Sequence, residues 1–172
     1  MNPSVESYRP FVCGLVEQMR PSKVLEIGVG HDAHTAVRIL DVMTQNKIPE
    51  SKLFLVDIEP HPRAKLALEQ FPSDTYDFRI GNSNSQDLGH LRVLYQNIHH
   101  CNLVLIDADH TYDCCMRDIH NCIFLNLLAH NGLFVLHDVS SPSVRQVLLE
   151  AEKLFHLKTF IIPELNIGIA RF

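Results

Sequence analysis

The stretch Val24-Leu-Glu-Ile-Gly-Val-Gly30 decides how this chain is read. A short run with strand propensity meets two glycines. Ala33, Ala36, Val37, Leu40 and Met43 then recur at helical spacing, with Asp32 as the expected N-cap. Strand, glycine turn and helix in that order predict one βα unit.

The same pattern repeats outward from it. Leu53–Val56 is the next strand, and Pro62 suits the first turn of a helix through Ala64, Ala67, Leu68 and Phe71. Tyr76–Ile80 is a third strand, followed by Leu88, Leu91, Tyr95 and Ile98 on one helical face. Leu103–Ile106 is wholly apolar, as expected of a strand covered on both faces. Met116, Ile119, Ile123 and Leu127 mark a helix that Asn131-Gly132 should end. Leu133–Leu136 is the fifth strand, and Ser141-Pro142 starts a helix through Val144, Val147, Leu148, Ala151 and Phe155.

The ending differs. Thr159–Ile162 and Ile167–Ala170 are separated only by residues 163–166, too few for a crossover helix, so they should form an antiparallel hairpin. Residues 1–22 read as one added helix carrying Val12, Leu15, Val16 and Met19, broken by Pro21. The expected fold is α/β: a Rossmann-like, doubly wound, mostly parallel seven-stranded sheet with an antiparallel C-terminal hairpin strand. Residues 1–172 read as a single domain, with 23–172 as its core.

Composition bounds the function. Apolar residues make up 46% of the 172 and charged residues 20%, enough for a real core. Fifteen basic residues against twenty acidic give a net charge of −5, so no nucleic-acid partner is expected. The first ten residues do not read as a signal peptide. No run approaches the roughly 18 apolar residues that span a bilayer, so no membrane association is expected. The five cysteines lack paired metal spacing and read as reduced thiols, which predicts a cytoplasmic protein. A full two-domain enzyme does not fit this length.

Ligands of open α/β sheets bind beyond the carboxyl ends of the strands. Those ends carry Gly28-Val-Gly30, Asp57-Ile-Glu59, Gly81-Asn-Ser83, Asp107-Ala-Asp109-His110 and His137-Asp138. Gly28-x-Gly30-x-x-Ala33 fits the loose dinucleotide fingerprint, in which glycines let backbone approach a ligand at a helix N-terminus. Glu26 interrupts the first strand, where a buried carboxylate is costly unless it meets a partner. Asp57 ends the second, where an acid can accept hydrogen bonds from both ribose hydroxyls. His31 and His34 have metal-pair spacing but no third ligand nearby, and read as structural or solvent-facing.

Val24-Leu-Glu-Ile-Gly-Val-Gly30, Leu55-Val-Asp57 and Leu105-Ile-Asp-Ala-Asp-His-Thr-Tyr112 resemble the successive signatures of class I S-adenosylmethionine-dependent methyltransferases. The last of these, with Gly132-Leu-Phe-Val-Leu-His-Asp138, is most similar to the branch of sugar and macrolide O-methyltransferases and cephalosporin-hydroxylase-like proteins. The similarity covers residues 20–172. It implies that Glu26, Gly28 and Gly30 line the amino-acid end of S-adenosylmethionine, Asp57 holds its ribose, and Asn82 and Ser83 lie beside its adenine. Asp107 and Asp138 match positions that hold a divalent metal in metal-dependent members, so Mg2+ is a possible second cofactor. His137 stands where relatives often have an acid. Asp109 matches a position for the general base.

The expected activity is therefore O-methylation of a small hydroxylated molecule or sugar. A carboxylate-bound cation can lower the pKa of a substrate hydroxyl. His110 or His137 could instead supply the base or a softer ligand. Two alternatives stand beside this: a nicotinamide-dependent oxidoreductase using the same glycine turn, and a non-catalytic cofactor-binding module. The chain holds little mass for an acceptor pocket. Either the acceptor is small, or a second copy completes the pocket as a homodimer.

Overall fold

A computed structural model describes residues 4–59 and 61–172. In chain order the elements are α1 (Ser4–Met19), β1 (Lys23–Ile27), α2 (His34–Gln45), β2 (Lys52–Asp57), α3 (Pro62–Leu68) and β3 (Tyr76–Ile80). Then follow α4 (Leu88–Leu94), β4 (Cys101–Ile106), α5 (Tyr112–Phe124), β5 (Leu128–His137), α6 (Pro142–Phe155), β6 (Lys158–Ile162) and β7 (Ile167–Arg171). The strands form one seven-stranded sheet in the order β3-β2-β1-β4-β5-β7-β6. β1 to β5 pair in parallel, while β7 runs antiparallel to both β5 and β6. The Rossmann-like, doubly wound sheet and its reversed C-terminal strand are as the sequence predicts.

Strand side chains alternate between two cores. Leu25, Ile27, Phe54 and Val56 pack with Leu91, Ile119 and Val147 from α4, α5 and α6. Val24, Leu53, Leu55, Leu103 and Leu105 pack with Val12, Val16, Ile39, Leu40 and Leu68 from α1, α2 and α3. Glu26 shares Val24's parity, so it faces the α1–α2 layer. No helix among the described residues is long and apolar enough to cross a membrane.

Several expected boundaries move. Asp32 does not cap α2: Ala33 holds the cap position in a left-handed conformation (φ 49°), and Asp32 instead approaches His34 and Arg63 at 3.6 and 3.8 Å. The fifth helix ends at Phe124 rather than at Asn131-Gly132, because the chain turns through left-handed Asn126. Leu127 is then buried beside a strand ten residues long, and Gly132 lies inside that strand. A Cβ on Gly132 would sit 2.7 Å from Cδ1 of Leu128 in the same strand and 2.9 Å from the carbonyl oxygen of Cys101 in β4, so close packing selects the glycine. Tyr95 and Ile98 lie beyond α4, and Phe71 beyond α3, yet Tyr95 and Ile98 remain buried. The expected start of the first helix falls on residues 1–3, outside the described residues; Pro10 is accommodated inside α1.

Candidate active site

The site is built where β1, β2 and β4 end side by side. The Gly28 amide donates to the Val56 carbonyl and the Asp107 amide to the Ile27 carbonyl, each at 2.9 Å. These bonds tie the chain after β1 to the end of β2, and the chain after β4 to the end of β1. Gly28 has φ +87°, and a Cβ there would press on the Asp107 carbonyl and lie 2.7 Å from Ala108 Cα. Only glycine combines that conformation with that approach. Gly30 also has positive φ (+69°), but open space lies over it. Asp57, buried at the end of β2, braces this turn: its Oδ2 accepts from the Val29 and Gly30 amides at 2.8 and 3.0 Å.

A cavity of about 300 Å3 opens above these ends, lined by Gly28, Gly30, Asp57, Asn82, Ser83 and Asp107, with Asp109 at its rim. A second, of about 260 Å3, is lined by Tyr8, Arg9, Glu26 and Thr35 and shares Gly28, Gly30 and Asp107 with the first. The two form one groove across the glycine turn. Glu26 is 2% exposed, and its Oε2 has no hydrogen-bond partner. Burial, reinforced by the charge of Asp107, pushes its carboxyl well above the usual range, and nearby Arg9 opposes this. A cavity of about 360 Å3 lies at the other end of the sheet, by Lys52 and Thr75, away from every strand-end motif.

On the β4–β5 side, Asp107, His110, His137 and Asp138 each bring one potential ligand atom within 4.8 Å of the others. His137 Nδ1 lies 2.9 Å from Asp107 Oδ1, and His110 Nε2 lies 3.4 Å from the same oxygen. Asp138 Oδ2 lies 3.6 Å from Nδ1 of both rings. Burial would raise the Asp107 pKa, but the close imidazole of His110 and the hydrogen bonds from His137 and Tyr8 override it and hold the carboxyl at about 2. The Asp107 carboxylate beside it likewise raises the His110 pKa against burial, helped by Asp138 and Asp109. Asp138 is placed by left-handed backbone (φ 59°) and accepts from Asn166 Nδ2 at 2.6 Å.

Of the residues expected from sequence, Gly28, Gly30, Asp57, Asn82, Ser83 and Asp107 share the first cavity, and Glu26 lies across the turn in the second. His110, His137 and Asp138 meet Asp107. Asp109 is exposed, and its Oδ1 accepts from the Thr111 amide at 2.7 Å, so its carboxylate shapes the entry to α5. His34 is solvent-facing, while His31 rests edge-on against His61 at 4.5 Å.

The site also contains Tyr8, Thr35, Arg9 and His61, which no sequence motif marks. Tyr8 donates to Asp107 Oδ2 at 2.9 Å, pairs with the Thr35 hydroxyl at 2.8 Å and packs on the His137 ring at 4.2 Å. Its place at the head of the i, i+4 series Tyr8, Val12, Val16 was the available signal, since that face is buried. Arg9 follows from Tyr8. His61, 3.4 Å from Asp57 Oδ1, had no periodic signal in its loop.

Residues 25–139, more than half of the chain, match the profile of a methyltransferase domain. The chain belongs to the methyltransferase-domain family. Membership selects methyl transfer over the oxidoreductase alternative. A search of curated proteins found no match. Among solved structures, the fold is similar to an SAH-bound Podospora anserina methyltransferase, with TM-score 0.78 and 12% identity over 95% of this chain and 77% of that one. It is also similar to an O-methyltransferase from Bacillus cereus in complex with SAH, with TM-score 0.74 and 13% identity over 96% and 79%. A methyltransferase of the mycinamycin biosynthetic pathway, in complex with Mg and SAH, aligns at TM-score 0.67 and 15% identity. There the alignment covers 95% of this chain but 49% of that one. At these identities the likeness is one of fold: the Rossmann-like methyltransferase fold.

Proposed function

We propose that this family member uses S-adenosylmethionine to methylate a hydroxyl of a small molecule or sugar. One observation carries the reading: the groove from Asn82 and Ser83, past Asp57 and the Gly28–Gly30 turn, to Glu26. The residues fit this cofactor. Asp57 lines the first cavity where a ribose would lie, Gly30 leaves space above the turn, and Glu26 offers an unpartnered oxygen at the far end. When bound, the cofactor supplies a methyl group already activated on a sulfonium. The chain must then align an oxygen nucleophile and remove its proton.

Asp107, His137 and Asp138 would hold a divalent cation, which would polarise a substrate hydroxyl. The donor set fits such an ion, since the ligand atoms already converge. Imidazole beside carboxylates suits Mn2+, Fe2+ or Zn2+ as well as Mg2+. His110 is the most exposed of the four residues and faces the mouth of the cluster, with Asp107 and Asp138 against its two ring nitrogens. We assign it the acceptor's proton, with Asp109 fixing the loop beside it. The acceptor enters from this open side, which a second subunit of a homodimer would close. The five free thiols, with Cys101, Cys115 and Cys122 buried, agree with a cytoplasmic setting.

The test pairs calorimetry with transfer of a labelled methyl group to a panel of catechols and glycosides, with and without EDTA. SAH binding and label transfer are expected. Absence of SAH binding at millimolar concentration would sink the proposal, and NAD binding in its place would revive the oxidoreductase.

A further inference from the structure

Three buried oxygens lie under the loop that follows β3. Asp118, on α5, has no exposed surface, and neither of its carboxyl oxygens has a hydrogen-bond partner among the described residues. Tyr95, at the end of α4, is buried too, and its hydroxyl also lacks a partner there. The Ser83 hydroxyl neighbours both, and Ser83 lines the cavity it shares with Asp57. One turn further along α5, Asn121 Nδ2 grips the same loop, donating to the Ser83 carbonyl at 2.9 Å and to that of Ser85 at 3.4 Å. Cys115 and Cys122 of α5 also face Asp118, and the charge that acts on it is that of Asp109, a second acid. Burial makes a carboxylate without a cation costly, so Asp118 stays neutral up to about pH 7. A neutral carboxyl and a phenol each bring one O–H. The Ser83 oxygen has two lone pairs to receive them, and a hydroxyl so filled has only its own proton left to give. The direction left for that proton is the cavity.

We propose that Asp118, with Tyr95, is a positioning residue that turns the Ser83 hydroxyl outward as a hydrogen-bond donor to a ring nitrogen of the nucleoside base held in this cavity. This rests on the cofactor reading above, which brings a purine to Ser83, and adds two residues that act from behind the cavity wall. Loss of the Asp118 proton reverses the arrangement. The carboxylate then takes the Ser83 proton for itself, and the ring nitrogen meets an oxygen that can only accept. The bound base thus favours protonated Asp118, so affinity is full at low pH and falls as pH rises past about 7.

The test is calorimetric titration of the full chain with SAH at about pH 6 and about pH 8.5. The proteins are wild type, Asp118→Asn and Ser83→Ala, with circular dichroism to check folding. Between the two pH values wild type should lose about fivefold more affinity than either variant, roughly the worth of one neutral hydrogen bond. Asp118→Asn keeps a donor in its amide but has no proton to lose, and Ser83→Ala has no hydroxyl to turn. Ser83→Ala should also bind SAH more weakly than wild type at pH 6. A wild-type loss no greater than that of Asp118→Asn overturns the proposal, as does a Ser83→Ala profile that keeps the extra fall. Either result leaves the cofactor reading standing. If Asp118→Asn does not fold, the comparison with Ser83→Ala decides alone. Wild-type binding of SAH at neither pH overturns the cofactor reading, and the positioning role with it.

Discussion

Gly28 and Gly30 stand two residues apart, both with positive φ, and the structure gives them different work. Alanine at either position must adopt a left-handed conformation, at about 1–2 kcal/mol. At Gly28 the added methyl also meets the Asp107 carbonyl and Ala108 Cα, which are backbone atoms and cannot swing away. Forcing a methyl into such packing costs about 1–3 kcal/mol more. Gly28→Ala should therefore lose about 2–5 kcal/mol, a large part of the roughly 5–15 kcal/mol of a typical domain. Gly30→Ala should lose only about 1–2 kcal/mol, because its methyl enters open space. That space is the groove, so Gly30→Ala should weaken SAH binding by about tenfold, or 1.4 kcal/mol. Urea unfolding reads the first quantity and calorimetry the second. Equal stability losses in the two variants, or wild-type SAH affinity in Gly30→Ala, would refute the assignment of close approach to one glycine and ligand space to the other.

Other outcomes follow from single contacts. Tyr8→Phe leaves Asp107 Oδ2 and the Thr35 hydroxyl without their partner, and should cost about 1.5–3 kcal/mol in urea unfolding; a neutral result would contradict the bond to Asp107. Asp118 is fully buried on α5 and burial pushes its carboxyl up to about 7, against the Ser83 hydroxyl and with Asp109 adding to it. The folded state keeps this proton up to about pH 7, whereas the unfolded chain releases it near 3.8, so stability should fall as pH rises between those values and then level. Asp118→Asn removes that slope, and its advantage over wild type should grow from pH 5 to pH 8 by an amount on the order of 2–3 kcal/mol; a constant difference would contradict the burial argument. Asp138→Ala should abolish Mn2+ binding seen by electron paramagnetic resonance while SAH binding persists, and retained Mn2+ would remove Asp138 from the proposed ligand set.

Much of this was written in local pattern. The alternation of short apolar runs with helical stripes predicted all seven strands, since a parallel sheet buried on both faces leaves few alternatives. The four residues between the last two strands fixed the reversed β7. Strand-end polar groups pointed to Asp57, Asp107 and Asp138 because the fold collects its strand ends on one edge. Boundaries set by tertiary contact were not legible. Gly132 looked like a helix cap, but it is a glycine because Leu128 of its own strand and Cys101 of neighbouring β4 crowd it. Asp32 looked like an N-cap, yet the turn enters α2 through the Gly30 amide donating to Asp57 and left-handed Ala33 at the cap position. Tyr8 and Arg9 could not be joined to Asp107 and Glu26 from sequence, because nothing local tells which strand face α1 covers.

The account turns on what occupies the groove between Asp57 and Glu26, and a crystal structure of the protein with SAH tests this most directly. The expected density places the adenine by Asn82 and Ser83, the ribose on Asp57 and the amino-acid end beside Glu26. Density for SAH elsewhere, such as the cavity between His31 and Arg63, or an empty groove at saturating ligand, would contradict it.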